Sequence, residues 1–367
     1  MKYGKMPPKG VLADEGFPVF SGYRITGFAK EYLFDEPRVI VVARGVGGTG
    51  DVKISPEKSW ITNLSIVFDH DSSIVDRNFL YYQLGREPLK EKLNTGAAQA
   101  QITIENLSQY QITLPSIKTQ RRIASILFAY DDLIENNRRR IQLLEQAARL
   151  LYKEWFVYLR FPGHEHTQIK DGIPEGWERI TVPEVVDINP REHIAKGSDI
   201  HYIPMSSLSE TGMTVDLSET EIRKNSTSVR FRNGDTLFAR ITPCLENGKT
   251  GYVNFLKEGE VACGSTEFII LRGMRVSPFF TYCLARTYDF RENAIKSMIG
   301  SSGRQRVQTS CFTEYVIGLP PKYLLKQFDD AASRLFAMIK CLMKQIRRLS
   351  QSRDLLLPRL MDGEVAV

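Results

Sequence analysis

Gly45-Val46-Gly47-Gly48-Thr49-Gly50 carries the G-x-G-x-x-G spacing with which a strand, a tight loop and a helix cradle a pyrophosphate. The strand-like run Val39 to Ala43 precedes it, but Asp51-Val52-Lys53-Ile54-Ser55-Pro56 follows, a pattern that reads as a strand and a break. A dinucleotide needs a helix N-terminus at that point, so these glycines are expected to form a surface turn. Gly248-Lys249-Thr250 ends like a P-loop, yet Pro243 stands where its first glycine must be. Asn189-Pro190 continues as Arg191-Glu192, without the Pro-aromatic pair of an amino-methyltransferase, and Asp51-Val52-Lys53 has no Pro-Asp pair upstream to complete a nuclease. His164-Glu165-His166 has the donors for a metal, but a single H-x-H beside Pro162-Gly163 is expected to be a solvated linker. With no Ser/His/Asp or Cys/His set in place, neither a catalytic nor a metal site is expected in this chain.

Composition fits that reading. The chain has 367 residues, 42% apolar and 25% charged, which is room for two globular domains and connecting elements. No apolar run approaches a membrane span, and Met1 to Gly10 lacks the hydrophobic stretch of a secretory signal, so a cytoplasmic protein with no membrane partner is expected. Cys244, Cys263, Cys283, Cys311 and Cys341 all fall in the second half, five in number and without C-x-x-C spacing. Reduced, mostly buried thiols are expected rather than disulfides or zinc. The net charge of +6, from 49 basic and 43 acidic residues, leans toward polyanions and decides nothing alone.

An internal repeat organises the rest. Tyr110-Gln111-Ile112-Thr113-Leu114-Pro115 recurs as Tyr315-Val316-Ile317-Gly318-Leu319-Pro320, 205 positions later, and a heptad-patterned helix follows each copy. Alternate steps of three and four residues pick out Ile123, Leu127, Tyr130, Ile134, Asn137, Ile141, Leu144, Ala148 and Leu151 in the first helix. The same offset gives Phe328, Ala332, Leu335, Ile339, Leu342, Ile346, Leu349, Arg353 and Leu356 in the second. Such a period is the seam of a coiled coil, so the two helices are expected to pair, with Asn137 as a register device facing Leu342 or its neighbours. The second helix is expected to run from about Lys322 to Leu357 and to stop at Pro358, and the first to end before Pro162-Gly163. Ahead of each helix lies an α/β segment. In the first, Val39 to Ala43 and Trp60 to Phe68 read as strands and Asn78 to Leu93 as a helix; in the second, Asp235 to Ile241, Glu267 to Leu271 and Pro278 to Ala294 repeat the plan. Val41-Val42-Ala43-Arg44 aligns with Leu237-Phe238-Ala239-Arg240, and Gly50-Asp51-Val52 with Gly251-Tyr252-Val253. The expected fold is therefore mixed α/β, with two similar domains separated by two long antiparallel coiled-coil helices in a pseudo-two-fold arrangement. Domain boundaries are expected at residues 1–115 and 161–320 for the two α/β domains, and at 116–160 and 321–367 for the helices.

Phe231-Arg232-Asn233-Gly234-Asp235-Thr236-Leu237-Phe238-Ala239-Arg240, continuing to Gly248-Lys249-Thr250 and then Gly264-Ser265-Thr266-Glu267-Phe268, closely resembles the target-recognition domain of type I restriction-modification specificity subunits. Ile173-Pro174-Glu175-Gly176-Trp177 resembles the opening of that family's second recognition domain, and Leu114-Pro115 through Gln120-Arg121-Arg122-Ile123-Ala124 its strand-to-helix junction before a spacer helix. The resemblance covers nearly the whole chain. It implies a non-catalytic subunit whose two recognition domains each read one half of a split, asymmetric double-stranded DNA site. It also implies docking of two methyltransferase (M) subunits, with restriction (R) subunits joining, while S-adenosylmethionine, ATP and Mg belong to those partners and no cofactor to this chain. Two departures stand out. The first copy has only Met1 to Gly16 before its first strand-like run, a shortened N-terminus with no Gly-Trp segment and no opening strand expected, and the second helix begins Leu325-Lys326-Gln327-Phe328 in place of Gln-Arg-Arg-Ile.

A DNA reader needs basic and amide side chains on strands and loops that can enter a groove, because Arg pairs bidentately with guanine and Asn or Gln with adenine. Arg44 and Arg240 end the matched strands, Lys53 and Lys249 lie in or beside the next turns, and Gln99 with Gln101 corresponds to Arg304 with Arg306. Tyr23 and Arg24 are candidates by position. For any one of these a solvated surface charge is the alternative. The helices, about 36 residues at 1.5 Å rise, span ~54 Å, which suits half-sites separated by an unread gap. Two other readings stay open: one chain combining recognition with methylation or cleavage, and a coiled-coil scaffold that binds no DNA.

Overall fold

The computed structural model describes residues 1–22, 24–45, 48–96, 99–194, 197–224, 228–301 and 303–365. The chain forms two units, Met1–Glu135 with Ile346–Val367, and Asn136–Gln345. In the first unit the strands are β1 (Lys2–Tyr3), β2 (Leu12–Ala13), β3 (Phe17–Ser21), β4 (Arg24–Ala29), β5 (Val39–Val42), β6 (Val52–Ile54), β7 (Trp60–Ile61) and β8 (Ser65–Val67). Three short helices follow, α1 (Arg77–Gly85), α2 (Leu89–Leu93) and α3 (Ile104–Ser108). One sheet has the order β1-β8-β5-β6, antiparallel throughout, and the other β2-β4-β3-β7, with β3 and β7 parallel. Alternation explains why β5 is an unbroken apolar run. Val39 and Val41 pack with Leu80, Leu84, Ile102 and Leu107, whereas Ile40 points the other way onto Phe20, Ile61 and Val67.

Three expectations change here. Trp60 to Phe68 is two strands in two sheets, broken at Thr62-Asn63-Leu64. Asn78 to Leu93 is two helices, because Pro88 has no N–H to continue a helix and disfavours helical backbone before it. And an opening strand is present: β1 pairs Lys2 with Val67 and Tyr3 with Ile66 at the sheet edge.

The 36-residue α4 (Ile117–Tyr152) leads into the second unit and closes on a π-helical turn at Lys153–Val157, short of Pro162. There the strands are β9 (Ile169–Lys170), β10 (Ile173–Pro174), β11 (Glu178–Thr181), β12 (Val186–Ile188), β13 (Asp199–Ile203), β14 (Glu221–Lys224), β15 (Val229–Arg232), β16 (Thr236–Ala239), β17 (Thr250–Tyr252), β18 (Val261–Gly264), β19 (Phe268–Gly273) and β20 (Val316–Leu319). Its helices are α5 (Pro278–Ala285), α6 (Tyr288–Lys296) and the 40-residue α7 (Lys322–Met361), whose last part belongs to the first unit. The sheet β12-β19-β16-β17 is again antiparallel throughout and has the plan of β1-β8-β5-β6, so β12 fills the place of β1. A second sheet runs β14-β13-β18-β15, with β13 and β18 parallel. Even a side-chain ion pair recurs with its signs exchanged: Arg38 meets Asp69 in the first unit, and buried Asp235 meets Arg272 at the corresponding strand positions in the second.

The repeated Tyr-to-Pro motif diverges in structure. β20 pairs with β11, and Trp177 packs against the backbone of Gly318, where an added Cβ would lie 3.1 Å from the ring. In the first copy residues 111–115 are not a strand. No counterpart of β11 pairs with them among the described residues, and a lone segment with no ladder partner has nothing to hold it as β-structure.

Within each unit the long helices run antiparallel. In the first, Ile123, Ala124 and Leu127 cluster with Leu356, Leu357 and Leu360, and Asp131 pairs with Arg353. In the second, Asn137 Nδ2 donates to Gln345 Oε1 at 3.4 Å, and the ring of Tyr152 lies 6.0 Å from that of Phe328. Ile134, Asn137, Ile141, Phe328, Ile339 and Leu342 are buried, and Tyr130, Leu144, Leu151, Leu335, Ile346, Leu349 and Leu356 half-buried. α7 passes its expected stop: Pro358 sits inside its last turn, and its carbonyl accepts the Asp362 N–H at 2.8 Å. A proline there forfeits one backbone bond at a fraying end, which the helix tolerates.

Candidate nucleic-acid interface

Arg44, Gln101, Arg240 and Arg306 lie where the central strands β5 and β16 run out. In the first unit the Ala43 N–H donates to Leu64 O and the Ala43 carbonyl accepts the Ile102 N–H, both at 2.8 Å. In the second, the Arg240 N–H donates to Glu267 O at 2.9 Å and its carbonyl accepts the Val307 N–H at 2.8 Å. The bridges one residue further on, Arg44 with Gln101 and Ile241 with Arg306, complete the same frame. Hence Ala43 answers to Arg240 and Arg44 to Ile241. The sequence match of Arg44 with Arg240 is one residue out of register, and a one-residue slip in a strand exchanges its faces. Gln101 and Arg306 keep their correspondence.

The individual placements differ accordingly. Arg44 is exposed, while Arg240 is half-buried, its Nη2 donating to Val307 O at 3.4 Å and its Nε finding no acceptor among the described residues. Lys53 lies within β6, 3.7 Å from the Asp51 carboxylate, and the Lys249 ammonium donates to Met205 O at 3.3 Å. Gln99 and Arg304 are exposed in the loops before the Gln101 and Arg306 bridges, Gln101 is half-buried, and Arg24 is exposed at the start of β4. Tyr23 lies outside the described residues, as do Val46 and Gly47 of the glycine run. After Gly50 comes β6, not the helix that a dinucleotide fingerprint carries directly after its glycines.

Arg306 is the most organised of the set. Its Nε lies 3.0 Å from both carboxylate oxygens of Glu267, and its Nη2 2.7 Å from Oε1. The hydrogen-bonded carboxylate holds the guanidinium still more firmly in its charged form. Glu267 stands in the sequence motif Gly264 to Phe268, but nothing in that string tells which cation it holds.

Two further carboxylates, invisible at the level of motifs, fasten the sheet layers to the long helices. In the first unit the Tyr82 hydroxyl donates to Asp131 Oδ2 at 2.6 Å, and Arg353 binds the same carboxylate. In the second, Glu145 of α4 is buried, with Tyr282 donating to Oε1 at 2.6 Å and the Met213 N–H to Oε2 at 2.8 Å. Burial drives the phenols of Tyr82 and Tyr282 far above their ordinary value, so both remain donors at any physiological pH. Among the described residues no three His, Cys, Asp or Glu side chains come together to hold a metal, and no helix is long and apolar enough to cross a membrane.

Residues 2–146 match the type I restriction modification DNA specificity domain. The chain is 25% identical over 304 residues to the type I restriction enzyme MjaIX specificity subunit of Methanocaldococcus jannaschii, covering 79% of this chain and 69% of that one. It is 20% identical over 394 residues to the MjaVIII specificity subunit of the same organism, covering 100% and 91%. In fold it is similar to the crystal structure of a type I restriction-modification S subunit from M. genitalium, with a TM-score of 0.60, 17% identity and coverage of 98% and 92%. A type I restriction modification DNA specificity domain thus covers residues 2–146, and the chain as a whole is similar to type I restriction enzyme specificity subunits.

Proposed function

We propose that the chain reads a bipartite, asymmetric site on double-stranded DNA, one half-site for each recognition domain, and that its long helices dock two methyltransferase subunits, with restriction subunits joining the assembly. The domains in this reading are residues 1–115 and 161–320, related by a pseudo-two-fold, with spacer helices at 116–160 and 321–367. One observation carries it. Both units hold the same four-strand sheet plan and the same terminal backbone bridge, yet the side chains on that bridge are Arg44 and Gln101 in one and Ile241 and Arg306 in the other. A kept frame with changed side chains at its rim suits two readers of different sequences. Arg44, Lys53, Gln99, Gln101, Tyr23 and Arg24 are assigned to the first half-site, and Arg240, Lys249, Arg304 and Arg306 to the second. Docking draws support from apolar side chains that the long helices leave in solvent, Phe128 and Leu133 in the first unit and Leu143 and Leu150 in the second.

Gel shifts of the purified chain on duplex DNA, with and without methyltransferase subunits, test this reading over a range of salt. Affinity is expected to fall steeply with log salt, because each neutralised phosphate releases counterions. A flat salt dependence would refute DNA binding, and methyl transfer from labelled S-adenosylmethionine by the chain alone would refute the division of labour.

A further inference from the structure

Arg306 projects from the rim of the second unit's central sheet with 45% of its side chain exposed, and Glu267 is 22% exposed beneath it. A guanidinium can offer paired donors along two edges, Nε with Nη2 or Nη1 with Nη2. Glu267 occupies the first edge, taking Nε on both oxygens and Nη2 on Oε1. The second edge has no acceptor among the described residues. It presents two parallel N–H groups, the pattern that O6 and N7 of guanine accept in the major groove. The carboxylate also fixes the plane of the group, so less side-chain freedom remains to be lost on binding.

The first unit shows that this pair changes as a pair. The backbone frame that places Arg306 places Gln101 there, and the frame that places Glu267 places Leu64. Without a carboxylate to brace it, the glutamine amide offers an N–H donor beside a carbonyl acceptor, which suit adenine N7 and N6. We propose that Arg306 reads a guanine in the half-site taken by the second unit, and that Glu267 is the positioning residue that aims it. This rests on the reading of the chain as the DNA-specificity subunit.

Selection from a duplex library with randomised positions, using the chain assembled with its methyltransferase subunits, tests the assignment. Wild type, Arg306→Ala, Arg306→Lys and Glu267→Ala are compared, with thermal melts as the check on folding. Arg306→Ala is expected to lose preference for guanine at one position, by roughly 5- to 150-fold, and to leave the other positions unchanged. Arg306→Lys keeps the charge beside Glu267, and so the fold, yet loses the same preference because an ammonium cannot present two fixed parallel donors. Glu267→Ala is expected to keep the guanine but with weaker discrimination. An unchanged motif in both Arg306 variants would overturn the assignment. So would a uniform loss of affinity in the alanine variant that lysine restores, which marks a phosphate contact. A wild-type assembly that selected no motif would overturn the DNA-specificity reading itself, and this assignment with it.

Discussion

Tyr282→Phe removes one oxygen from a buried cluster in the second unit, and its cost can be worked out from the neighbours. The hydroxyl donates to Glu145 Oε1 at 2.6 Å, with both side chains almost wholly out of solvent. A hydrogen bond to a charged group contributes about 1.5–3 kcal/mol net. Arg149 at 3.8 Å and Arg286 at 4.0 Å continue to face that oxygen after the substitution, which argues for the lower half of the range, about 2 kcal/mol. Glu145→Ala is worse, because it strands the Tyr282 hydroxyl and the Met213 N–H together, at about 1–3 kcal/mol each, for a total of about 4 kcal/mol. The double variant no longer buries the stranded hydroxyl. It is therefore expected to be about 1–2 kcal/mol more stable than additivity allows. For a unit of roughly 200 residues, 2 kcal/mol corresponds to about 4–8 °C in Tm. Thermal and urea unfolding followed by circular dichroism measure all three variants. A Tyr282→Phe cost below about 0.5 kcal/mol, or strict additivity in the double variant, would refute the view that this carboxylate fastens the α5 layer to α4.

Asn137→Leu is expected to stabilise the second unit by about 1 kcal/mol in urea unfolding, since among the described residues the buried amide has one long side-chain bond, to Gln345, to offset its desolvation. Gly318→Thr installs the first copy's residue at a position where a Cβ would meet the Trp177 ring at 3.1 Å; about 1–3 kcal/mol of overpacking and faster amide exchange in β11 are expected. Tyr315 is pushed up to about 12, first by burial and then by Asp289. Its phenol keeps its proton in the folded chain after the unfolded chain has lost it, so its contribution is intact below about pH 10 and is lost as pH rises from there to about 12. A melting scan over that window should show the wild type declining more steeply than Tyr315→Phe.

What the sequence makes legible is periodicity. The heptads of α4 and α7 and the apolar runs of β5 and β16 announce themselves because burial repeats with the geometry of the element. Register is harder to read. Ala43-Arg44 and Ala239-Arg240 look alike as letters, but the backbone bonds align Ala43 with Arg240, and a gap of one residue leaves no trace in composition. Strand β1 escapes because two residues, Lys2 and Tyr3, carry no alternation, and its pairing with β8 is a long-range choice. The loss of a strand at residues 111–115 is equally non-local: the segment resembles β20 closely and differs in having no counterpart of β11 to pair with among the described residues. Glu267, Glu145 and Asp131 were each visible as residues, yet their partners lie 39, 137 and 222 positions away along the chain. Spacing rules do not reach that far.

Adenine-methylation mapping, in cells that carry this chain with its cognate methyltransferase subunit, tests the central claim most directly. Two readers in one chain predict a motif of two short specified blocks, different in sequence and separated by bases of any identity. A single contiguous motif, or two blocks of which only one changes identity when both the Gln101 and Arg306 rims are substituted, would contradict it.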